Sequence, residues 1–218
     1  MDKAGGGNMK NAIIFDLDGT LWDSSEEVIF AWNHILNKYT DGKIQIDIKF
    51  MQSLMGKTMK EIKCLIFKDY PQLNADLIYD ECMKYENEYL RKNGAKLYPS
   101  LKETLSVLAN NYALSIVSNC QCGYIEAFLE YYKLNHLFAD TECYGNTLKE
   151  KSENIKAVIN RNNYQEYYYV GDTLGDYNSA TEANVPFIHA KYGFGNVPQA
   201  KYSISEISEL IPLMEKLK

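Results

Sequence analysis

The chain has 218 residues, 46% of them hydrophobic, and a formal net charge of -6 at pH 7. This length suits one well-buried core, or a core domain with a smaller appended one. The sequence has no Lys/Arg-rich block that could follow a phosphate backbone, and no apolar stretch near the roughly 18 to 20 residues that span a bilayer. We therefore expect no nucleic-acid partner and no membrane segment, and we predict a cytoplasmic protein.

The first residues and the cysteines carry little structural information. Residues 1–8 are glycine-rich and precede a second methionine, Met9, so we predict that they are an added leader outside the fold. The five cysteines are odd in number, and only Cys120 and Cys122 lie close together. This spacing suits neither a disulfide framework nor a metal site with two paired ligands, so we expect free thiols.

Apolar runs bounded by turn residues recur along the chain, and segments with helical spacing follow them. Strands are predicted at residues 11–15, 113–117, 167–170 and 186–189, with weaker candidates at 139–144 and 202–204. A closing helix is predicted at 206–216. This alternation predicts an α/β fold, with a Rossmann-like parallel sheet of five or six strands flanked by helices.

About a hundred residues without a good strand separate the first two strong strands, far more than one crossover helix needs. Helical spacing occurs there at 26–39, 58–67 and 74–92. We predict that residues 22–98 form an inserted all-helical cap domain, with hinges at 21–25 and 93–100. The α/β catalytic core then comprises residues 9–21 and 99–218.

Polar and acidic residues directly follow three of the predicted strands, and ligands of open parallel sheets bind at the carboxyl ends of strands. These residues are Asp16, Asp18 and Thr20 after the first strand, Ser118 and Asn119 after the second, and Asp172 and Asp176 after the strand at 167–170. Four carboxylates at one sheet edge would repel one another unless a cation neutralised them. Mg²⁺ suits this setting, because it takes few carboxylate ligands and shares its other positions with water and substrate phosphate.

The expected ligands of the ion are Asp16, the main-chain carbonyl of Asp18, and Asp172. Asp176 lies one helical turn further on. We expect it to bind the ion through water or to orient the other ligands.

These motifs, in this order, resemble those of the haloacid dehalogenase superfamily of phosphatases, and the match covers nearly the whole chain. The long insertion is similar to the helical cap of members like phosphoglycolate phosphatase and beta-phosphoglucomutase. The four family motifs correspond to Asp16-Leu17-Asp18-Gly19-Thr20, Ser118, a lysine within 149–151, and Gly171-Asp172 with Asp176.

The resemblance implies a two-step mechanism through an aspartyl-phosphate. Asp16 would attack phosphorus, while Asp18 would protonate the leaving alcohol and then deprotonate the hydrolytic water. Main-chain N–H groups near Leu17 and Asn119 would bind the phosphoryl oxygens together with Ser118. Thr20 would secure the loop or the adjacent phosphate oxygens.

The third motif leaves two lysines open, Lys149 and Lys151. We favour Lys151, because it stands at the start of a predicted helix, where the helix dipole and the ammonium reinforce each other against an anion. Lys149 remains the alternative.

A loop in the cap also has two interpretations. Gly56 and Lys57 could lie over the active site as a substrate-reading loop. They could instead end one helix before Thr58 caps the next.

The sequence thus predicts a Mg²⁺-dependent phosphatase that acts on a small phosphorylated metabolite, as a monomer or weak dimer. A sugar-phosphate mutase is the alternative, because it needs the same pair of aspartates. A non-catalytic phosphate-binding module is disfavoured, since every expected catalytic residue type is present.

Overall fold

The structure is a computed structural model that describes residues 11–54 and 56–217. The predicted leader, residues 1–8, lies outside the described residues. No helix in the described ranges is both long enough and apolar enough to cross a membrane.

A six-stranded parallel sheet forms the centre of the molecule, and a separate pair of two-residue strands lies beside it. In the large sheet the spatial order is β5-β4-β1-β6-β7-β8, so β1 lies between β4 and β6 and pairs in parallel with both. The strands are β1 Asn11–Phe15, β2 Trp22–Asp23, β3 Lys96–Leu97, β4 Ala113–Ser118, β5 Phe138–Cys143, β6 Glu166–Gly171, β7 Phe187–Ala190 and β8 Tyr202–Ile204.

The strand predictions hold to within one residue at each end. β4 is buried along its whole length, as expected of a strand covered by helices on both faces. β7 begins at Phe187 and not at Pro186, because proline has no N–H to donate to a ladder. The Pro186 carbonyl still accepts a hydrogen bond from the Tyr169 N–H at 2.9 Å.

Among the described residues, four helices lie between β2 and β3 and form an all-helical insertion, which we call the cap. They are α1 Ser25–Thr40, α2 Ile48–Leu54, α3 Met59–Phe67 and α4 Ala75–Asn93. The prediction of an inserted helical domain is therefore confirmed, while its limits at 22 and 98 stay a prediction. α2 was not predicted. The chain enters the cap through β2 and leaves it through β3. These two strands pair antiparallel and lie within the predicted hinges.

The remaining helices cover the sheet. They are α5 Leu101–Leu108, α6 Tyr124–Tyr132, α7 Tyr144–Thr147, α8 Lys151–Asn162, α9 Leu174–Glu182 and α10 Leu210–Lys216. The closing helix was predicted as one unit at 206–216, but a 3-10 turn at Ile207–Glu209 precedes α10. Pro212 lies in the first turn of α10, where its missing N–H costs nothing, so it favours a helix start at this point.

Packing between α1 and α4 holds the cap together. α1 buries Val28, Trp32 and Leu36, and α4 buries Ile78 and Cys82, all at helical spacing. Burial of these apolar side chains stabilises the pair by roughly 1.5 to 3 kcal/mol for each large residue.

We expect Leu36→Ala to lower the free energy of unfolding by about 2 to 5 kcal/mol, because Leu36 is 0% exposed and its removal leaves a cavity. Leu77→Ala on α4 is the matched control, since Leu77 is 48% exposed. Urea unfolding of both variants measures the difference. Equal losses in the two variants would contradict the described packing of the cap.

Candidate active site

The carboxyl ends of β1, β4 and β6 meet at one edge of the sheet and carry the predicted site residues. Asp16 follows β1, Ser118 ends β4, and Asp172 follows β6. Because these strands are neighbours and parallel, their ends converge. All three residues are buried, with Asp172 fully so.

Three aspartates form a compact group at this edge. One carboxylate oxygen from each of Asp16, Asp172 and Asp176 lies within 4.8 Å of the others, and all three side chains are buried. The side chain of Asp18 is not a member of this group. The expected role of its main-chain carbonyl stays a prediction.

Lys151 is the cation that the fold places among these carboxylates. Its Nζ lies 2.9 Å from Asp16 Oδ1 and 2.6 Å from Asp176 Oδ1, and its side chain is 2% exposed. Lys151 is the first residue of α8, as the sequence predicted. Lys149 is exposed, and within the described residues it makes only main-chain hydrogen bonds, to Thr147 and Asn154. The geometry thus brings Lys151 into the site and leaves Lys149 outside it.

Asp176 is oriented by a capping box at the start of α9. The Thr173 hydroxyl accepts a hydrogen bond from the Asp176 N–H, and Asp176 Oδ2 accepts hydrogen bonds from the Thr173 N–H and hydroxyl. This arrangement satisfies N–H groups at the helix start. It also fixes Oδ2, so that Oδ1 of Asp176 is available to Lys151.

Asp172 has one satisfied carboxylate oxygen and one unsatisfied one. Oδ2 accepts a hydrogen bond from the Phe194 N–H at 2.7 Å. Oδ1 is buried and has no hydrogen-bond partner among the described residues. A buried anionic oxygen without a partner is costly, so the site fits a bound cation at this atom.

The charges of the aspartate group are only partly balanced by the protein. Burial and the neighbouring Asp176 raise the pKa of Asp16 to about 7, although Lys151 acts in the opposite direction. Burial, Asp176 and Asp16 raise the pKa of Asp172 well above its usual range, although the Phe194 N–H and Lys151 act in the opposite direction. One ammonium faces three carboxylates, and a divalent cation with oxygen ligands would complete the balance.

Gly19 allows the loop after β1 to approach Asp172. Its φ is +79°, and a Cβ at this position would lie 2.2 Å from Asp172 Oδ2. Any side chain would therefore be strained and would displace the carboxylate.

Asp18 has a separate hydrogen-bond network on the cap side of Asp16. Its Oδ1 accepts hydrogen bonds from Trp22 Nε1 at 2.9 Å, Ser24 Oγ at 2.7 Å and Tyr124 OH at 2.8 Å. Burial raises the pKa of Asp18, and these three donors partly oppose that shift. None of the three donors was among the predicted site residues. Trp22 and Ser24 follow the first motif closely, whereas Tyr124 lies too far along the chain to give a signal.

The residues predicted to bind phosphate have different surroundings. Ser118 and Asn119 line a pocket together with Asp16 and Asp18. The Asn119 side-chain amide donates to the Gly56 carbonyl at 2.9 Å, which joins the core to the cap. Both residues therefore border the pocket in which a ligand of Asp16 would lie.

Leu17 and Thr20 build the loop after β1. The Leu17 carbonyl accepts hydrogen bonds from the N–H groups of Thr20 and Leu21. The Thr20 carbonyl accepts one from the Tyr192 hydroxyl. The Thr20 hydroxyl is buried without a partner in the described ranges, and the predicted role of Thr20 at the loop or the phosphate oxygens stays a prediction.

Both interpretations of the loop around Gly56 describe part of the structure. α2 ends at Leu54, and Thr58 forms a capping box with Glu61 at the start of α3. Gly56 and Lys57 nevertheless line the same pocket as Asp16.

Comparisons with known proteins agree with this geometry. A family model described as haloacid dehalogenase-like hydrolase matches residues 13–190. A phosphoglycolate phosphatase from Agrobacterium fabrum is 26% identical over 219 residues, covering 94% of this chain and 92% of the relative. Another from Aliivibrio fischeri is 26% identical over 197 residues, covering 84% and 85%. A structure from Haemophilus somnus, described as a predicted phosphoglycolate phosphatase, has a TM-score of 0.77 at 22% identity and covers 96% and 100%.

The matched region runs from β1 to β7 and therefore contains all four motifs and the cap. The comparisons confirm the predicted type of enzyme, a phosphatase that hydrolyses phosphoric monoesters. They do not favour the mutase alternative. The chain belongs to the haloacid dehalogenase-like hydrolase family.

Proposed function

We propose that this chain hydrolyses small phosphomonoesters in two steps, with Asp16 as the nucleophile and Asp18 as the acid and base. The observation that carries the proposal is the position of Asp16. It is buried at the carboxyl end of the central strand, paired with Lys151, and lines a pocket together with Asp18.

In the first step an oxygen of Asp16 forms a bond to phosphorus while the bond from phosphorus to the alcohol oxygen breaks. Lys151 holds Oδ1 of Asp16, and Oδ2 makes no hydrogen bond within the described part of the chain. Attack through Oδ2 is therefore the arrangement that this geometry favours. The resulting acyl phosphate divides one difficult displacement into two easier ones.

Asp18 supplies a proton to the leaving alcohol in the first step. The raised pKa of Asp18 favours its protonated form, and the three donors on Oδ1 leave Oδ2 as the oxygen that carries the proton. In the second step Asp18 takes a proton from the water that attacks phosphorus, while the bond from phosphorus to Asp16 breaks, which releases phosphate and restores the Asp16 carboxylate. One residue can serve both steps, because it is an acid before the first and a base after it.

Ser118, Asn119 and Lys151 would hold the transferred phosphoryl group. Ser118 and Asn119 lie at the end of β4 and line the pocket beside Asp16. Lys151 offsets the negative charge that gathers there during transfer. Main-chain N–H groups of the loop at Leu17 are further donors in this proposal.

We propose Mg²⁺ as the cofactor. Asp16, Asp172 and the main-chain carbonyl of Asp18 would hold it, with Asp176 in an orienting position. The orphaned Oδ1 of Asp172 supports this assignment. When bound, the ion would neutralise charge on the phosphoryl oxygens.

The substrate is proposed as a small phosphorylated metabolite. Phosphoglycolate, which appears in the names of the relatives, is one member of that class. A cytoplasmic location, a monomeric or weakly dimeric state, and the absence of nucleic-acid partners remain predictions of the sequence.

We expect turnover of p-nitrophenyl phosphate to require both Mg²⁺ and Asp16. Chelation with EDTA should abolish it reversibly, because the three carboxylates would lose the charge that offsets their repulsion. Asp16→Asn should lower kcat by at least about 10³-fold, since an amide cannot form the acyl phosphate.

Asp69→Asn is the matched control, because Asp69 is exposed and lies in the cap away from the sheet edge. It should keep wild-type turnover. Full activity of Asp16→Asn would rule out the nucleophile assignment, and full activity in EDTA would rule out the metal.

The two lysines of the third motif give a second test. Lys151→Met should lower kcat about 10²- to 10³-fold, because it removes the cation beside the transferred group. Lys149→Met should have little effect, since Lys149 is exposed and its side chain makes no hydrogen bond to a described residue. Steady-state kinetics on both variants, with circular dichroism to verify folding, measures the contrast. A larger loss for Lys149→Met would contradict the proposed role of Lys151.

A further inference from the structure

The α/β core and the cap each line one side of the pocket beside Asp16. The core side is polar, and the cap side is largely apolar. Two charged residues, Lys57 and Glu86, interrupt the cap side. Lys57 is half-buried, whereas Glu86 is 4% exposed. The apolar residues that line it are Val28, Trp32, Met51, Leu54, Met59 and Ile62.

Glu86 lies on the buried face of α4. It continues a row of positions four residues apart that otherwise holds Ile78, Cys82 and Leu90. A carboxyl group among apolar side chains costs free energy, and an apolar residue would pack there more favourably. The structural demands of α4 therefore do not explain Glu86.

Within the described part of the chain, hydrogen bonds reach one oxygen of Glu86. Oε2 accepts hydrogen bonds from Trp32 Nε1 at 2.7 Å and from Gln121 Nε2 at 3.0 Å. Oε1 accepts no hydrogen bond from residues in the described ranges. Trp32 belongs to α1 and Gln121 to the loop after β4, so the cap and the core together orient the carboxyl group.

The protonation of Glu86 matches this geometry. Burial raises the pKa of Glu86 to about 8, and the charge of Asp18 contributes to that shift. The protonated form therefore predominates near neutral pH. Because two donors already face Oε2, the proton belongs on Oε1, where the group can both donate and accept a hydrogen bond.

We propose that Glu86 binds a hydroxyl group of the substrate alcohol. The substrate class is then a phosphomonoester whose alcohol has a short apolar segment and a second hydroxyl. This inference rests on the proposed function, which places the phosphoryl group at Asp16 and the alcohol on the cap side.

A hydroxyl fits the pocket better than a charged group does. It donates and accepts one hydrogen bond each, as protonated Glu86 does. An ammonium or a second carboxylate would have to leave water for mostly apolar walls, and a carboxylate would favour the charged Lys57 over the uncharged Glu86. The apolar side chains would contact the carbon segment of the alcohol.

The test compares two substrates that differ by one hydroxyl, 3-hydroxypropyl phosphate and propyl phosphate, in the presence of Mg²⁺. Wild type should have the higher kcat/KM for the hydroxylated substrate. Glu86→Leu should lower the ratio of the two values about tenfold, because the hydroxyl then lacks a partner. Glu86→Gln should keep most of the preference, since an amide also donates and accepts.

Glu88→Leu is the matched control on the same helix, because Glu88 is exposed, and it should leave the ratio unchanged. An unchanged ratio in Glu86→Leu, or a wild-type preference for propyl phosphate, would overturn the proposal. A preference for 3-aminopropyl phosphate over the hydroxylated ester would overturn the choice of a hydroxyl. Thermal unfolding verifies that each variant folds.

Measurements of ester binding without turnover distinguish a failure of this inference from a failure of the proposed function. Calorimetry with Asp16→Asn protein measures the affinity for both esters without turnover, with and without Glu86→Leu. If wild type hydrolyses neither ester, the proposed function fails, while a hydroxyl preference that depends on Glu86 would still support the binding site. Equal affinities for the two esters would count against Glu86 alone.

Discussion

Asp16, Asp172 and Asp176 bring three carboxylates within 4.8 Å of one another in a buried part of the molecule. Repulsion and desolvation both oppose ionisation of such a group, and Lys151 supplies only one compensating charge. The remaining imbalance, together with the orphaned Oδ1 of Asp172, is what makes the site suited to a divalent cation and a phosphate ester. The surrounding fold serves to hold these groups in place. Parallel strands bring the aspartates together, a capping box orients Asp176, and Gly19 leaves room for Asp172.

Much of this arrangement could be predicted from the sequence, because its signals are local. Apolar runs followed by acidic turns located β1 and β6, and a lysine at a helix start favoured Lys151 over Lys149. The parallel sheet then requires the ends of neighbouring strands to meet. Local patterns did not reveal the short elements, because these span too few residues to show a hydrophobic period. They are α2, the two-residue strands β2 and β3, and the 3-10 turn before α10.

The partners of Asp18 and the environment of Glu86 depend on contacts that are remote in sequence. Tyr124 donates to Asp18 across 106 positions, and no spacing rule connects them. Glu86 resembles an ordinary surface residue of an amphipathic helix. Its place in the row with Ile78, Cys82 and Leu90 was a signal that could have marked it as buried. These contacts surround the proposed acid and the proposed alcohol side of the pocket, so specificity is the part of the function that sequence alone reveals least.

In the proposed function the phosphoryl group passes through Asp16. The most direct measurement is acid quenching of the wild-type protein during turnover, followed by proteolysis and mass spectrometry of the peptide that contains β1. The account predicts a peptide heavier by one phosphoryl group, with the label on Asp16 and absent from unreacted protein. A phosphoryl group on another residue, or none while turnover proceeds and the acyl phosphate is stable to the quench, would contradict it.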